Sequence, residues 1–282
     1  MTPVYIISGF LGAGKTTLVR KLAETCWQGQ RIVLVENEFG EVDIDGAFLH
    51  ETGLTIRELT SGCICCSLTG DFTKALCEID QSFAPDKIII EPSGVAKLSE
   101  ILRAVREAAL APTCAVAICD ASVYMDYAEN FGEFYLDQVQ NADLILLSHT
   151  DGMSGQEVQD CIRYISEHNP QADLVAAPWG VLDAQTLQHA LDSGSEKRKA
   201  AEGVHSHAHA HRHEHEHDHH HDHHHDHEGH HHADDVFTSW GKETIRTYTK
   251  EEIGNILKTL EEDGSYGNIL RAKGMVAGAV KG

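Results

Sequence analysis

A chain of 282 residues can bury one sizeable core and a second small one. Its formal charge of -22 repels phosphate backbones and excludes nucleic acid as a partner. It has no apolar run of about 18 residues, so no membrane contact is expected, and no basic lead precedes its first apolar stretch, so a cytoplasmic location is expected.

Val4 to Ile7 is a short run rich in β-branched residues and predicts a buried strand. It runs into Gly9-Phe10-Leu11-Gly12-Ala13-Gly14-Lys15-Thr16, which fits the G-x-x-x-x-G-K-[ST] phosphate-binding loop. Leu18, Leu22 and Ala23 then mark one stripe of a packed helix. Strand, glycine loop and helix are the three parts of a phosphate cradle. Gly9, Gly12, Ala13 and Gly14 let backbone N–H groups turn inward, and the new helix adds its dipole. Lys15 supplies charge for the β and γ phosphates. Thr16 offers a hydroxyl to Mg²⁺, and Thr17 completes the loop.

A second strand, Arg31 to Val35, ends in an acidic loop containing Glu36, Glu38, Glu41, Asp43 and Asp45. These carboxylates suit Mg²⁺ or a transition metal, although a solvated loop has the same composition. Thr55 to Leu59 predicts a third strand, which delivers the chain to Gly62-Cys63-Ile64-Cys65-Cys66. A helix from about Asp71 to Phe83 follows, with Phe72, Ala75, Leu76 and Ile79 on one face. Lys87 to Glu91 is a strand ending in an acid, followed by Pro92-Ser93-Gly94. In phosphate-loop enzymes an acid at this point supports Mg²⁺ or water, and the glycine N–H senses the γ-phosphate. Lys97 to Ala109 reads as a helix. Cys114 to Ile118 and Leu144 to Leu147 read as strands, Ser154-Gly155-Gln156-Glu157 opens a capped helix, and Asp173 to Ala177 is the last strand. Leu182, Leu187 and Leu191 mark a closing helix.

This alternation predicts an α/β fold, a mostly parallel sheet with helices on both faces. The ligand should sit at the carboxyl ends of the strands. Residues 1–192 form this domain. Residues 193–234 read as a disordered linker, because Ser193-Gly194-Ser195, Lys197-Arg198-Lys199 and a histidine tract carry no apolar pattern. Residues 235–282 suggest a small α+β piece, with strands near Val236 to Trp240 and Glu243 to Tyr248 and a helix behind the capping box at Thr249.

Eight cysteines in a cytosolic chain read as thiols or metal ligands rather than disulfides. Cys26, Cys77, Cys114, Cys119 and Cys161 lie singly in apolar patterns and read as core. Cys63, Cys65 and Cys66 place three thiols within four residues, a donor set for Zn²⁺ or Cu(I) with one position open. Seventeen of the 21 histidines lie between His205 and His232, beginning with the alternating His205, His207, His209 and His211. Such a tract gathers divalent ions weakly and without selectivity. An inert polar spacer is the competing reading.

Together the phosphate loop, Glu36-Asn37-Glu38-Phe39-Gly40-Glu41, the C-x-C-C run and Glu91-Pro92-Ser93-Gly94 resemble the CobW-type metallochaperone GTPases, relatives of the nickel-insertion GTPases of hydrogenase and urease maturation. The resemblance covers residues 1 to about 190 and resumes at about 236 to 276. It implies GTP hydrolysis with Mg²⁺, coupled to delivery of a transition metal, zinc favoured and cobalt next, to a client metalloprotein. A homodimer is a further assembly to consider. By motif, Lys15, Thr16 and Glu91 would be catalytic. Cys63, Cys65 and Cys66 would hold the cargo ion, with Glu36 and Glu41 as extra ligands. The family's guanine reader is usually N-K-x-D. Here it is Ser148-His149-Thr150-Asp151, which keeps Asp151 for the base and lacks a hydrogen bond and an aliphatic stack. The C-terminal piece looks shortened against the family pattern. Two other readings stay open at this stage: a metal buffer centred on the histidine tract with a weakly active nucleotide site, and a kinase-like ATPase on the same fold.

Overall fold

The structure, a computed structural model, describes residues 2–36, 55–58, 69–179, 181–208 and 246–266, together with 269, 272 and 276–278. Its strands are β1 (Val4–Gly9), β2 (Ile32–Glu36), β3 (Thr55–Glu58), β4 (Lys87–Glu91), β5 (Pro112–Asp120), β6 (Leu144–Ser148) and β7 (Asp173–Val175). They form one sheet in the order β3-β2-β4-β1-β5-β6-β7, and all the pairings are parallel. The chain builds outward on one side of β1, then crosses after β4 to build outward on the other. That reversal of direction at β1 opens a crevice at the carboxyl end of the sheet.

The helices are α1 (Lys15–Lys21, finished by a π-helical turn Leu22–Cys26), α2 (Thr69–Phe83), α3 (Leu98–Glu107), α4 (Tyr124–Asn130), α5 (Gly132–Gln140), α6 (Gly155–His168) and α7 (Ala184–Ala208). Both faces of the sheet are covered, as expected. Leu18 and Val19 of α1 and Leu187 and Leu191 of α7 pack on the face of Ile7, Leu34 and Ile89. Helices α2, α3, α5 and α6 pack on the face of Ile6, Val35 and Ile90. Because strands buried on both faces need apolar residues at every position, they read as continuous runs. Cys114, Cys119 and Cys161 are buried as expected, whereas Cys26 and Cys77 are half-buried. Burial pushes the Cys119 thiol up to about 12 and keeps it inert.

The structure departs from the sequence reading in two places. Helices α4 and α5 fill the stretch between β5 and β6, although Phe134, Tyr135, Gln138 and Val139 form a buried helical stripe visible in the pattern. The second departure is α7, which runs on to Ala208 and so crosses the boundary drawn at 192. Ser195 and Arg198 of this helix are buried, so the stretch just past 192 packs on the folded unit and is not a loose linker. Residues 209–234 of that expected linker lie outside the described residues.

The capping box at α6 is present, with Glu157 N donating to Ser154 Oγ at 3.3 Å and Ser154 N donating to Glu157 Oε2 at 2.7 Å. Ser154→Ala should lower stability by about 1 kcal/mol, read as a drop of about 2–4 °C in thermal melting. Further on, β8 (Thr247–Tyr248) pairs in parallel with β9 (Ala277–Gly278), and α8 (Lys250–Glu262) starts at a second capping box on Thr249. The strand expected at residues 236–240 lies outside the described residues. Among the described residues no helix is long and apolar enough to cross a membrane.

Candidate nucleotide site

β1 ends at Gly9 and α1 begins at Lys15, so the glycine loop joins a central strand to a buried helix start. Gly14 is the N-cap of α1 at φ 104°, a left-handed backbone that favours glycine, and it caps without a side chain. The first N–H groups of α1 therefore lack a side-chain cap and face the crevice as anion donors. Lys15 is buried, and its Nζ reaches the Phe10 carbonyl at 3.5 Å, curled back over the loop.

The acidic partner comes from β4. Thr16 Oγ1 donates to Glu91 Oε1 at 2.9 Å, joining the start of α1 to the end of the strand beside β1. Glu36 is the register partner of Glu91 on β2, and Glu58 takes the matching register position on β3. Paired residues on neighbouring parallel strands share a face. Glu36 and Glu91 thus lie on the α1 side with Leu34 and Ile89, and both are buried. A hydroxyl and two carboxylates at one edge form a hard oxygen donor set, the chemistry Mg²⁺ requires.

The glycine loop is braced from the stretch between β5 and β6. The Phe10 ring packs on Tyr127 and Phe131 at centroid distances of 4.6 and 5.4 Å. Tyr127 Oη donates to the Leu11 carbonyl at 3.5 Å. From α5, the buried Gln138 donates to the carbonyls of Gly94 at 3.0 Å and Ala96 at 2.9 Å, fixing the loop after Glu91. Gly94 then presses on the phosphate loop: a Cβ there would lie 2.9 Å from Leu11 N.

On the other side Trp179 closes the wall. Its Nε1 donates to the Leu147 carbonyl at 3.3 Å, and its own carbonyl accepts from Lys21 Nζ at 2.6 Å. The tryptophan edge lies 3.8 Å from where a Cβ on Gly14 would sit. Next to it, His149 adopts φ 53°, a left-handed conformation that costs a non-glycine residue about 1–3 kcal/mol. Its Nε2 donates to the Gly12 carbonyl at 3.3 Å and lies 3.7 Å from Asp120 Oδ2. Asp151, two residues on, is exposed at the crevice mouth.

Lys15, Thr16, Glu36, Glu91 and Gly94 are therefore brought to one edge. Cys63, Cys65, Cys66 and Glu41 lie outside the described residues, as do His209 and His211. The expected closeness of the thiols to the phosphates lies outside them too. The backbone of His205 and His207 forms the last turns of α7. Among the described residues no group of three or more metal-ligating side chains occurs.

A parallel sheet that reverses direction at a glycine loop, with a buried lysine and a threonine–carboxylate pair, defines a P-loop nucleotide-binding protein. The model of the family described as CobW/HypB/UreG, nucleotide-binding domain, matches residues 3–176, and the chain belongs to that family. The zinc chaperone YeiR of Escherichia coli is 30% identical over 211 residues, covering 73% of this chain and 64% of YeiR. The zinc-regulated GTPase metalloprotein activator 1 of Schizosaccharomyces pombe is 28% identical over 196 residues, covering 64% of this chain and 47% of the activator. The crystal structure of Zn(II)-bound YjiA GTPase from E. coli shares the fold at a TM-score of 0.50 and 24% identity, covering 68% of this chain and 63% of that one. The chain thus spans about half to two thirds of the length of these relatives.

Proposed function

We propose that this protein binds and hydrolyses GTP and couples that cycle to handing a transition metal, zinc before cobalt, to a client metalloprotein. The observation that carries the hydrolytic half is the Thr16–Glu91 hydrogen bond with Glu36 alongside, set against the buried Lys15. Thr16, Glu91 and Glu36 would hold Mg²⁺, which when bound neutralises charge on the β and γ phosphate oxygens. Lys15 leaves the Phe10 carbonyl to meet the phosphates, and the N–H groups at the start of α1 bind their oxygens. Asp151 reads the guanine edge. Gly94, held between Gln138 and Leu11, places its N–H beside the phosphate loop.

The metal half is supported by the printed names of the relatives, zinc chaperones and a zinc-regulated GTPase activator. It is also supported by chain order. β3 ends at the same edge as β2 and β4, and Cys63 follows Glu58 by five residues. Cys63, Cys65 and Cys66, with Glu36 and Glu41 as added ligands, would carry the cargo ion, and the tract from His205 to His211 onward would collect it weakly.

The test is the GTPase rate of the protein loaded with Zn²⁺ and stripped of it, with and without Mg²⁺. We expect hydrolysis to require Mg²⁺, to favour GTP over ATP, and to change several-fold with zinc. Glu91→Gln should lower turnover by about 10²-fold or more. Equal rates in the loaded and stripped protein would remove the coupling.

A further inference from the structure

The geometry points to His149 as the residue that sets guanine selectivity here, by fixing the distance between the base-reading loop and the phosphate loop. The inference rests on the GTP reading of the site. It starts from a replacement. Ser148 is buried, and its short hydroxyl turns back to the Cys119 carbonyl at 3.4 Å, so it spans nothing. The next residue makes the span instead. His149 reaches 137 positions back along the chain to the Gly12 carbonyl at the tip of the phosphate loop. A carbonyl only accepts, so Nε2 carries the proton in this bond. The Asp120 carboxylate, only 13% exposed, lies 3.7 Å from that same nitrogen at the end of β5. Asp120 is itself fixed by Ser122, whose N and Oγ donate to Oδ1 at 2.9 and 2.6 Å.

The backbone accommodates this reach. His149 is held at φ 53°, one of three non-glycine residues with positive φ among the described residues. The loop is anchored before it by Ala121 N donating to the Ser148 carbonyl, and after it by Met153 N donating to the Thr150 carbonyl. The ring is then the part of the loop that crosses the crevice. Asp151 follows on the same short turn, exposed.

A nucleoside diphosphate engages this site at two ends, phosphates on the glycine loop and base at Asp151. Its affinity depends on both ends being in place before it arrives, because preorganisation removes the entropy of ordering them. The phosphate end treats all bases alike. Loss of the strut should therefore fall on discrimination by Asp151 and not on phosphate binding.

The experiment measures GDP and ADP affinity in the full chain, together with thermal melting of the nucleotide-free protein. His149→Gly removes the ring while suiting the left-handed backbone, so a loss there does not come from strain. We expect about tenfold weaker GDP binding, the loss of one anchoring hydrogen bond near a charge, with ADP binding and melting little changed. His149→Lys and His149→Gln, which restore a donor of sufficient reach, should recover most of the guanine preference. Unchanged GDP affinity in His149→Gly overturns the inference, as does an equal loss for GDP and ADP. A parent protein that shows no preference for GDP over ADP overturns the GTP reading itself, and this inference with it.

Discussion

Gly94→Ala is expected to weaken GDP and GTP binding by about 5- to 150-fold, with only a small change in the melting of the nucleotide-free protein. The reason is space. The backbone of Gly94 is not left-handed, so alanine suits its φ, but an added Cβ would meet Leu11 N at 2.9 Å and Leu11 Cα at 3.1 Å. Contacts under about 3 Å against backbone cannot be relieved by turning a side chain, and overpacking of this kind costs about 1–3 kcal/mol. Gln138 holds Gly94 from behind, so the glycine loop must be the part that moves. The loop lies at the crevice mouth, where it can shift without opening the core. The strain then reappears as a phosphate cradle of the wrong shape, and each 1.4 kcal/mol is a factor of ten in affinity. Gly155→Ala is the control, since nothing lies within 4 Å of its Cβ position and its φ is ordinary. It should leave binding untouched. Wild-type affinity in Gly94→Ala would show that the contact between the two loops is not maintained when nucleotide binds.

The same residues show what could be read before any coordinates. The glycine loop, Glu91 and Gly94 were visible because each sits in a short motif whose geometry is local. The parallel sheet then brings such strand ends to one edge. The braces were not visible. Gln138 acts on Gly94 from 44 residues away, and Tyr127 acts on Leu11 from 116. Contacts of that separation leave no periodicity in a window of a few turns. Trp179 and His149 are of the same kind, single side chains whose roles exist only after the fold closes. Helix α5 is different, because its apolar stripe was present and a boundary placed by strand signals passed over it.

Helix α7 shows the opposite error, in which composition misled. Ser193-Gly194-Ser195 followed by three basic residues has the look of a linker. In the structure Gly194 lies where a Cβ would meet Cys114 Sγ at 2.7 Å, so the glycine permits close packing of helix on sheet. Ser193 and Lys197 both donate to Asp173, at 2.5 and 2.7 Å. Burial would raise the Asp173 carboxyl, but these two hydrogen bonds outweigh it and hold the group below its ordinary value. Lys197 and Arg198 are therefore partners for Asp173 and Asp143, and tertiary context overrode a weak local preference.

The second large effect follows from that arrangement. Arg198→Ala should destabilise the protein by about 3–5 kcal/mol, because it strands a buried charge. Arg198 Nε donates to Asp143 Oδ2 at 2.8 Å, and Nη2 donates to the Asn141 carbonyl at 3.0 Å. Both side chains of the pair are 10% exposed. Asp143 Oδ2 also accepts from Ala115 N at 2.8 Å, so the pair ties α7 to β5 and to the turn before β6. Alanine leaves the carboxylate with its charge in a poorly solvated place and removes the donor to Asn141. At about 2–4 °C per kcal/mol for a domain of this size, the melting temperature should fall by roughly 6–20 °C. Arg198→Ala combined with Asp143→Asn should recover part of the loss, since an amide oxygen still accepts from Ala115 N without a charge to strand. A coupling energy of about 0.5–3 kcal/mol in that cycle would measure the pair itself. If the single variant melts as the parent does, Arg198 is not an anchor, and the turns of α7 beyond residue 192 dock weakly enough to act as the free linker that their composition suggests.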